Sequence, residues 1–166
     1  RDRLKIMNEK LLISIISKLC IALALISLNG CSNTISNQSM NSVQIQYPKE
    51  TTTLKKGLEI YLKNKSSDID EQYRPTLSIA SQLLKNNKNF VLQIEGHTDS
   101  SGSLAANNKV SIIRANIVKD FIQNEYHVNP DQLITTGLGP SKPIASNSTA
   151  DGRAKNRRVT VTLKIQ

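Results

Sequence analysis

The stretch that decides the fold runs from Phe90 to Arg114 and reads FVLQIEGHTDSSGSLAANNKVSIIR. It opens with a short apolar run, residues 91–94, that is typical of a buried strand. The run breaks at Gly96 into a polar tip that ends at Gly102. A helical pattern follows, so this stretch predicts a strand, a polar turn and a helix in succession.

The predicted helix carries apolar residues at spacings of three and four, which places them on one face. They are Val110, Ile113, Ile117, Val118 and Phe121. Arg114 falls inside this predicted stripe, and burying a guanidinium without a partner costs free energy. Asp99, at the tip of the strand, is the candidate partner. The two side chains therefore either neutralise each other or together hold a ligand that carries both charges.

Periodic runs on either side of this stretch complete the pattern. A helix with Pro75 in its first turn is predicted to begin near Asp70. The predicted order is a strand at 58–62, this helix to about residue 84, a strand at 90–95, a helix at 104–126, a strand at 133–136, a polar loop at 146–150 and a strand at 159–165. The order is βαβαββ, which predicts an α/β fold of the two-layer α+β type, with a small mixed sheet and helices on one face.

The N-terminal third of the chain has the composition of an export signal and a tether. An apolar run at residues 19–28 is too short to span a bilayer but suffices for a secretory signal, with Met7 as the plausible start. Leu28-Asn29-Gly30-Cys31 resembles the lipobox of bacterial lipoproteins. This predicts a signal peptide at 7–30, acylation of Cys31 and a flexible Ser- and Asn-rich linker through residue 56. The folded domain is predicted at 57–166.

Composition narrows the classes of function. The net charge of +9 suits an anionic polymer or membrane surface, but aromatics are 4% of the chain and Trp is absent, so stacking platforms for single-stranded nucleic acid are not evident. Cys20 lies in the predicted signal, which leaves Cys31 without a disulfide partner. His97 lacks the further ligands that a metal site needs, and Ser111 lacks a His–acid pair at recognisable spacing. No cofactor, metal or catalytic activity is therefore predicted.

Several spaced motifs carry a resemblance to the C-terminal domain of the OmpA family, which includes peptidoglycan-associated lipoproteins. They cover the predicted folded domain in the right order and comprise Gly96-His97-Thr98-Asp99, Gly102, Asn107, Ser111, Arg114-Ala115, Asn147, Gly152-Arg153-Ala154 and Asn156-Arg157-Arg158-Val159. The resemblance implies an outer-membrane lipoprotein whose periplasmic domain binds peptidoglycan non-covalently through the diaminopimelate of the stem peptide. It does not extend to the membrane barrel of full-length family members.

The resemblance also implies roles for particular side chains. Asp99 would accept the ammonium of diaminopimelate, and Arg114 would grip a carboxylate. Thr98 and Asn107 would donate or accept hydrogen bonds beside them, and Arg157 would add a further carboxylate contact. Arg153 and Lys155 are interpreted as a solvated basic patch that faces the anionic wall.

Three other functions remain open on the sequence alone. A peptidoglycan-modifying enzyme would need a catalytic constellation that the sequence does not display. An envelope adaptor would have another periplasmic or membrane protein as its main partner, as in a Tol-like system. A nucleic-acid-binding domain would fit the basic charge but conflicts with the predicted signal and lipobox.

Overall fold

A four-stranded mixed sheet organises the computed structural model, which describes residues 48–62 and 69–166. The strands are β1 (Leu58–Ile60), β2 (Phe90–His97), β3 (Leu133–Gly139) and β4 (Val159–Ile165), in the spatial order β1-β4-β2-β3. β4 pairs antiparallel with both β1 and β2, whereas β2 and β3 are parallel. The predicted α/β fold with a small mixed sheet is confirmed.

Within residues 48–62 and 69–166, four helices accompany the sheet. They are α1 (Pro48–Lys56), α2 (Arg74–Asn86), α3 (Leu104–Tyr126) and α4 (Ala150–Asn156). Single turns of 3-10 helix at Glu71–Tyr73 and Pro130–Gln132 precede α2 and β3. Asp70 caps the first of these turns and Pro75 lies in the first turn of α2, as the sequence predicts. α3 and β4 have the predicted bounds, and β2 continues two residues beyond its predicted end.

The hydrophobic core lies between one face of the sheet and the helices. Alternate residues of the two central strands point into it, including Leu92 and Ile94 of β2 and Val161 of β4, all with no exposed surface. Thr160 and Thr162 of β4 point to the opposite face and are half-buried. Helix α2 contributes Leu77, Leu83 and Leu84 to the same core. This alternation is that of a sheet covered on one face.

The sheet-facing side of α3 differs from the predicted apolar stripe. Its buried residues are Asn107, Ser111, Ala115, Val118 and Ile122. Of the predicted stripe, Val118 is buried, whereas Val110 and Ile113 are exposed surface residues. Arg114 is half-buried, at the edge of the buried face of the helix. The predicted buried face of the helix was therefore wrong, because the first half of α3 meets the sheet through small and polar side chains.

Two glycines explain why small residues face the sheet there. A Cβ atom built on Gly96 of β2 would lie 1.9 Å from the backbone oxygen of Ser111, and one on Gly137 of β3 would lie 2.7 Å from the backbone nitrogen of Ile112. The helix backbone therefore approaches the two strands too closely for a larger residue on either side. Ser111 uses this closeness, since its hydroxyl accepts from the backbone N–H of Gly139 at 3.0 Å.

Two helices were not predicted. α1 lies within the predicted linker, yet its Leu54 has no exposed surface and belongs to the core, so the predicted boundary at residue 57 was wrong and the folded part includes α1. α4 occupies a segment that we interpreted as loop and basic patch, and Thr149 caps it by accepting from Gly152 N–H. The predicted signal peptide, Cys31 and the linker before Pro48 lie outside the described residues.

Because α3 contacts β2 backbone to backbone, Gly96→Ala should be strongly destabilising. We expect a loss of about 3 kcal/mol in the free energy of unfolding, at the upper end for an overpacked site. Urea denaturation followed by circular dichroism measures it. Gly102→Ala is the comparison, because no atom lies within 4 Å of its added Cβ and only the positive φ of 84° opposes it, which costs about 1 kcal/mol. Equal losses for the two variants would contradict the close-packing argument.

Candidate functional site

An ion pair between Asp99 and Arg157 forms the centre of the candidate site. Asp99 follows the end of β2, and Arg157 follows α4 immediately before β4, so two distant segments meet here. Arg157 Nη1 donates to Asp99 Oδ2 at 2.8 Å, and the backbone N–H of Ser101 donates to Asp99 Oδ1 at 2.8 Å. Burial raises the pKa of the Asp99 carboxyl, but these hydrogen bonds outweigh it and hold the pKa below its ordinary value. Asp99 is therefore an anion with both oxygens engaged.

Arg114 has a different partner from the one the sequence suggested. Its Nη1 donates to the backbone oxygen of His97 at 3.1 Å, whereas the ion pair of Asp99 is made with Arg157. Burial and the neighbouring charge of Arg157 both lower the pKa of Arg114, and the charge of Asp99 only partly offsets them. Two guanidinium groups thus lie beside one carboxylate, and a guanidinium keeps its charge in such a setting.

A cavity of about 290 Å³ opens beside these two arginines. Its lining residues are Tyr61, Leu62, Arg114, Ala154, Lys155 and Arg157. Asp99 reaches this cavity through its ion pair with Arg157 rather than as a lining residue. The volume is near the lower end of the range for small-molecule sites. Lys155, which we interpreted as part of a solvated basic patch, is one of the residues that line the cavity.

Thr98 and Asn107 are both buried at the loop that carries Asp99. Thr98 is 4% exposed, and its backbone N–H donates to Gly139 O at 2.9 Å. Asn107 Nδ2 donates to Ser101 O at 2.9 Å, which ties the loop after β2 to α3. Both residues therefore shape the loop that presents Asp99. A direct ligand contact by either of them stays a prediction.

A buried asparagine holds the segment that delivers Arg157. Asn156 has no exposed surface, and its Oδ1 accepts from the backbone N–H groups of Ile144 and Ala145 at 2.8 and 3.1 Å. Its Nδ2 donates to Ala145 O and to Asn147 Oδ1, each at 2.9 Å. The same Asn147 oxygen accepts from Ser100 N–H at 3.2 Å. One hydrogen-bond network thus joins α4 to the loop that carries Asp99.

Sequence reasoning missed these supporting residues. The motif carried Asn147 and Asn156, but neither was given a role. An asparagine directly before the paired arginines was the available signal, because a buried amide with two donors and two acceptors can replace a turn's missing backbone hydrogen bonds. Tyr61 and Leu62 of the cavity wall had no comparable signal, because the sequence pattern predicted them only as the end of the first strand, which stops at Ile60.

His97 lies on the sheet face opposite the core. Its Nε2 is 3.3 Å from Thr160 Oγ1, and its backbone N–H donates to Arg158 O at 2.9 Å. The ring is 2% exposed. Burial, together with the charge of Arg158, lowers the pKa of His97 to about 4. A neutral, buried imidazole with these neighbours acts as a packing residue whose backbone oxygen positions Arg114.

The hydroxyl of Ser111, which the sequence raised as a candidate nucleophile, is held by two hydrogen bonds to backbone groups. The hydroxyl of Ser111 donates to Asn108 O at 2.8 Å and accepts from Gly139, which is a structural role. Among residues 48–62 and 69–166, no group of three or more His, Cys, Asp and Glu side chains is arranged to hold a metal ion. Within those same ranges, no helix has the length and apolar character needed to cross a membrane.

Comparison with known proteins gives a consistent family. The sequence profile of the OmpA family matches residues 61–157. The peptidoglycan-associated lipoprotein of Buchnera aphidicola subsp. Baizongia pistaciae is 31% identical over 127 residues, covering 76% of this chain and 73% of that protein. Outer membrane protein Omp38 of Acinetobacter baumannii is 39% identical over 117 residues, which are 70% of this chain. The match spans 33% of the length of Omp38.

The fold also resembles a solved structure. The crystal structure of the peptidoglycan-associated lipoprotein from Burkholderia pseudomallei superimposes with a TM-score of 0.57 at 26% sequence identity. The superposition covers 64% of this chain and 89% of that chain. The likeness therefore takes in most of that lipoprotein domain.

Since Asn156 satisfies four partners in a buried setting, Asn156→Ala should destabilise the fold. We expect a loss of about 3 kcal/mol in the free energy of unfolding, because several buried polar groups lose their partner at once. Asn116→Ala, an exposed change on α3, is the matched control and should cost less than about 0.5 kcal/mol. Denaturant unfolding followed by circular dichroism measures both. Similar losses for the two variants would show that the network contributes nothing.

The low pKa of His97 predicts a loss of stability in mild acid. A histidine in the unfolded chain takes up its proton near pH 6.5, whereas His97 in the folded protein does so near pH 4. Protonation therefore favours unfolding as the pH falls through this window, with a cost of up to about 3 kcal/mol. His97→Gln should remove this part of the pH dependence between pH 7 and 4. The free energy of unfolding of both proteins is measured across that range by denaturant unfolding. If it falls equally with pH in the variant and the wild type, His97 is not the group responsible.

Proposed function

The chain belongs to the OmpA family, and from that premise we propose that its folded domain binds peptidoglycan non-covalently through the diaminopimelate of the stem peptide. Relatives whose names carry peptidoglycan association support the ligand class. The observation that carries the proposal is the cluster of Asp99, Arg157 and Arg114 beside the cavity. Its role is binding rather than catalysis.

The charges of the cluster complement one end of diaminopimelate. The free end of this residue carries an ammonium and a carboxylate on the same carbon, so it presents both signs within a few ångströms. Asp99 is the anion for the ammonium, and Arg114 and Arg157 are cations for the carboxylate. Arginine presents a planar fork that matches two carboxylate oxygens, which a lysine cannot copy.

Binding requires that the ion pair of the free protein opens. Arg157 occupies one oxygen of Asp99 at 2.8 Å, in the place that the ligand ammonium would take. A zwitterion can enter between the two side chains without leaving either charge unpaired, because its ammonium replaces Arg157 on Asp99 while its carboxylate replaces Asp99 on Arg157. The side chain of Arg157 is 40% exposed, and we propose that it turns aside when the ligand enters.

Arg114 needs less rearrangement. Its hydrogen bond to the His97 carbonyl uses one of five N–H donors and fixes the direction of the guanidinium. Arg114 is also a lining residue of the cavity. We propose that Arg114 is the preorganised half of the carboxylate clamp and Arg157 the mobile half, with Thr98 and Asn107 supporting the loop of Asp99.

The proposed setting of this domain is the bacterial envelope. Acylation of Cys31 would anchor the chain in the outer membrane, and each buried methylene of an acyl chain adds about 0.8 kcal/mol of membrane affinity. The segment between Cys31 and α1 would then span the distance from the membrane to the wall. A domain that holds peptidoglycan at one end of this tether links the two layers, without the need for a catalytic step.

Co-sedimentation with purified diaminopimelate-type sacculi tests the proposal. The full chain in detergent should pellet with the sacculi, and Asp99→Ala and Arg114→Ala should each weaken binding about tenfold or more, which corresponds to the loss of one charged anchor. Lys88→Ala is the matched control, because Lys88 is an exposed cation at the opposite end of β2. Each variant is checked for folding by circular dichroism.

Two results would contradict the proposal. If wild type and all variants pellet alike, and pelleting disappears at raised salt, attachment is adsorption through basic charge. If the folded wild type stays in solution at every salt concentration, the domain does not bind peptidoglycan.

A further inference from the structure

We infer that the cavity selects diaminopimelate whose free-end carboxyl group is a carboxylate and rejects the form in which that group is a carboxamide. The inference rests on the proposed function and concerns the same site. It follows from the imbalance of charge around the cavity and from the kinds of hydrogen-bonding groups in its wall.

The cavity wall contains more positive charge than the protein neutralises. Arg114, Arg157 and Lys155 are lining residues. Within residues 48–62 and 69–166, Asp99 is the one carboxylate in an ion pair with a cavity-lining cation. A ligand ammonium would take up the charge of Asp99 and leave all three cations to be matched by the ligand. A carboxylate supplies that match, whereas a carboxamide adds none.

Solvent screens the charges of these three cations to different extents. Lys155 is exposed, and Arg157 is 40% exposed, so solvent screens part of their charge. Arg114 is half-buried and is already disfavoured by burial and by the charge of Arg157. Arg114 therefore depends most on an anionic ligand, and it should carry most of the discrimination.

Among the described side chains that line the cavity, acceptors for an amide are scarce. A carboxamide presents one acceptor oxygen and an NH₂ group with two donors, whereas guanidinium and ammonium groups are donors only. Leu62 and Ala154 offer no polar side-chain atom to the cavity. The hydroxyl of Tyr61 donates to Glu59 Oε2 at 2.8 Å. Its oxygen is therefore the single side-chain acceptor among the described lining residues. An amide NH₂ would thus face guanidinium N–H groups, donor against donor.

Binding of two soluble muropeptides to the full chain in detergent, measured by calorimetry, tests the inference. Both are disaccharide tetrapeptides, so that the other carboxyl group of diaminopimelate is in a peptide bond to D-alanine. They differ only in whether the free-end carboxyl group is a carboxylate or a carboxamide. We expect the carboxylate form to bind at least about tenfold more tightly, as befits the loss of a charge-assisted hydrogen bond.

A third muropeptide separates local recognition from overall charge. It keeps the diaminopimelate carboxylate but carries D-isoglutamine in place of D-glutamate, so its net charge equals that of the amidated form. It should bind within about threefold of the carboxylate form, since a more distant exposed charge has a small effect. Equal weakening by both amidations would overturn the inference, because charge alone would then explain the preference.

Substitutions of the cavity-lining residues test which side chain produces the preference for carboxylate over carboxamide. Arg114→Gln should bring the affinity ratio between carboxylate and carboxamide forms close to one, and Lys155→Gln should lower both affinities with a smaller change in the ratio. Lys88→Gln removes the same charge far from the site and should leave the ratio unchanged. If Arg114→Gln does not fold, Arg114→Lys serves, since it keeps the charge but loses the fork.

The failures are distinguishable from those of the proposed function. Equal affinities of wild type for the carboxylate and carboxamide forms would overturn the inference while peptidoglycan binding stands. If neither tetrapeptide binds but sacculi still pellet the protein, the inference falls and the wall is recognised through another feature. If neither tetrapeptide binds and sacculi do not pellet it, both fall together.

Discussion

The close approach of helix α3 to strands β2 and β3 is the constraint on which the site depends. Gly96 and Gly137 allow the backbone of the helix near Ser111 to lie against the strands, at distances that exclude even a methyl group. One turn further along, this brings Arg114 within hydrogen-bond reach of the His97 carbonyl, at the end of β2. Asp99 follows two residues later on the same chain. The packing of small residues thus places both charged groups at one edge of the sheet.

Among the described residues of the site, two guanidinium groups lie beside a single carboxylate. Arg157 takes the partner that the sequence suggested for Arg114, and Arg114 is left with a neutral carbonyl. Such an arrangement lowers the stability that a fully paired cluster would have, because a partly buried charge without a counter-ion is costly. The network of Asn156, Asn147 and Ser100 offsets part of this cost by holding α4 against the loop of Asp99. The fold therefore maintains a cluster in which two guanidinium groups lie beside one carboxylate.

Local patterns in the sequence were sufficient for the strands and for the two long helices. The bounds of α3 and β4 were predictable because caps, periodicity and alternation are local properties. The buried face of α3 was not, because the apolar pattern cannot reveal that Gly96 and Gly137 let the helix backbone lie directly against β2 and β3. α1 was missed for a similar reason: its mean composition is polar, and only the burial of Leu54 against the rest of the domain makes it part of the fold.

The pairing within the site shows where sequence reasoning ends. Asp99, Arg114 and Arg157 were all identified, yet which arginine pairs with the carboxylate depends on the path of the chain between β3 and β4. That path is set by Asn156, whose four hydrogen bonds form the turn that carries Arg157 to Asp99. Because the cluster joins three separate segments, a ligand that bridges them stabilises their mutual arrangement by mass action. Ligand binding, as we propose it, would therefore be coupled to the integrity of this edge of the sheet, and Asn156 and Asn147 would affect it without touching the ligand.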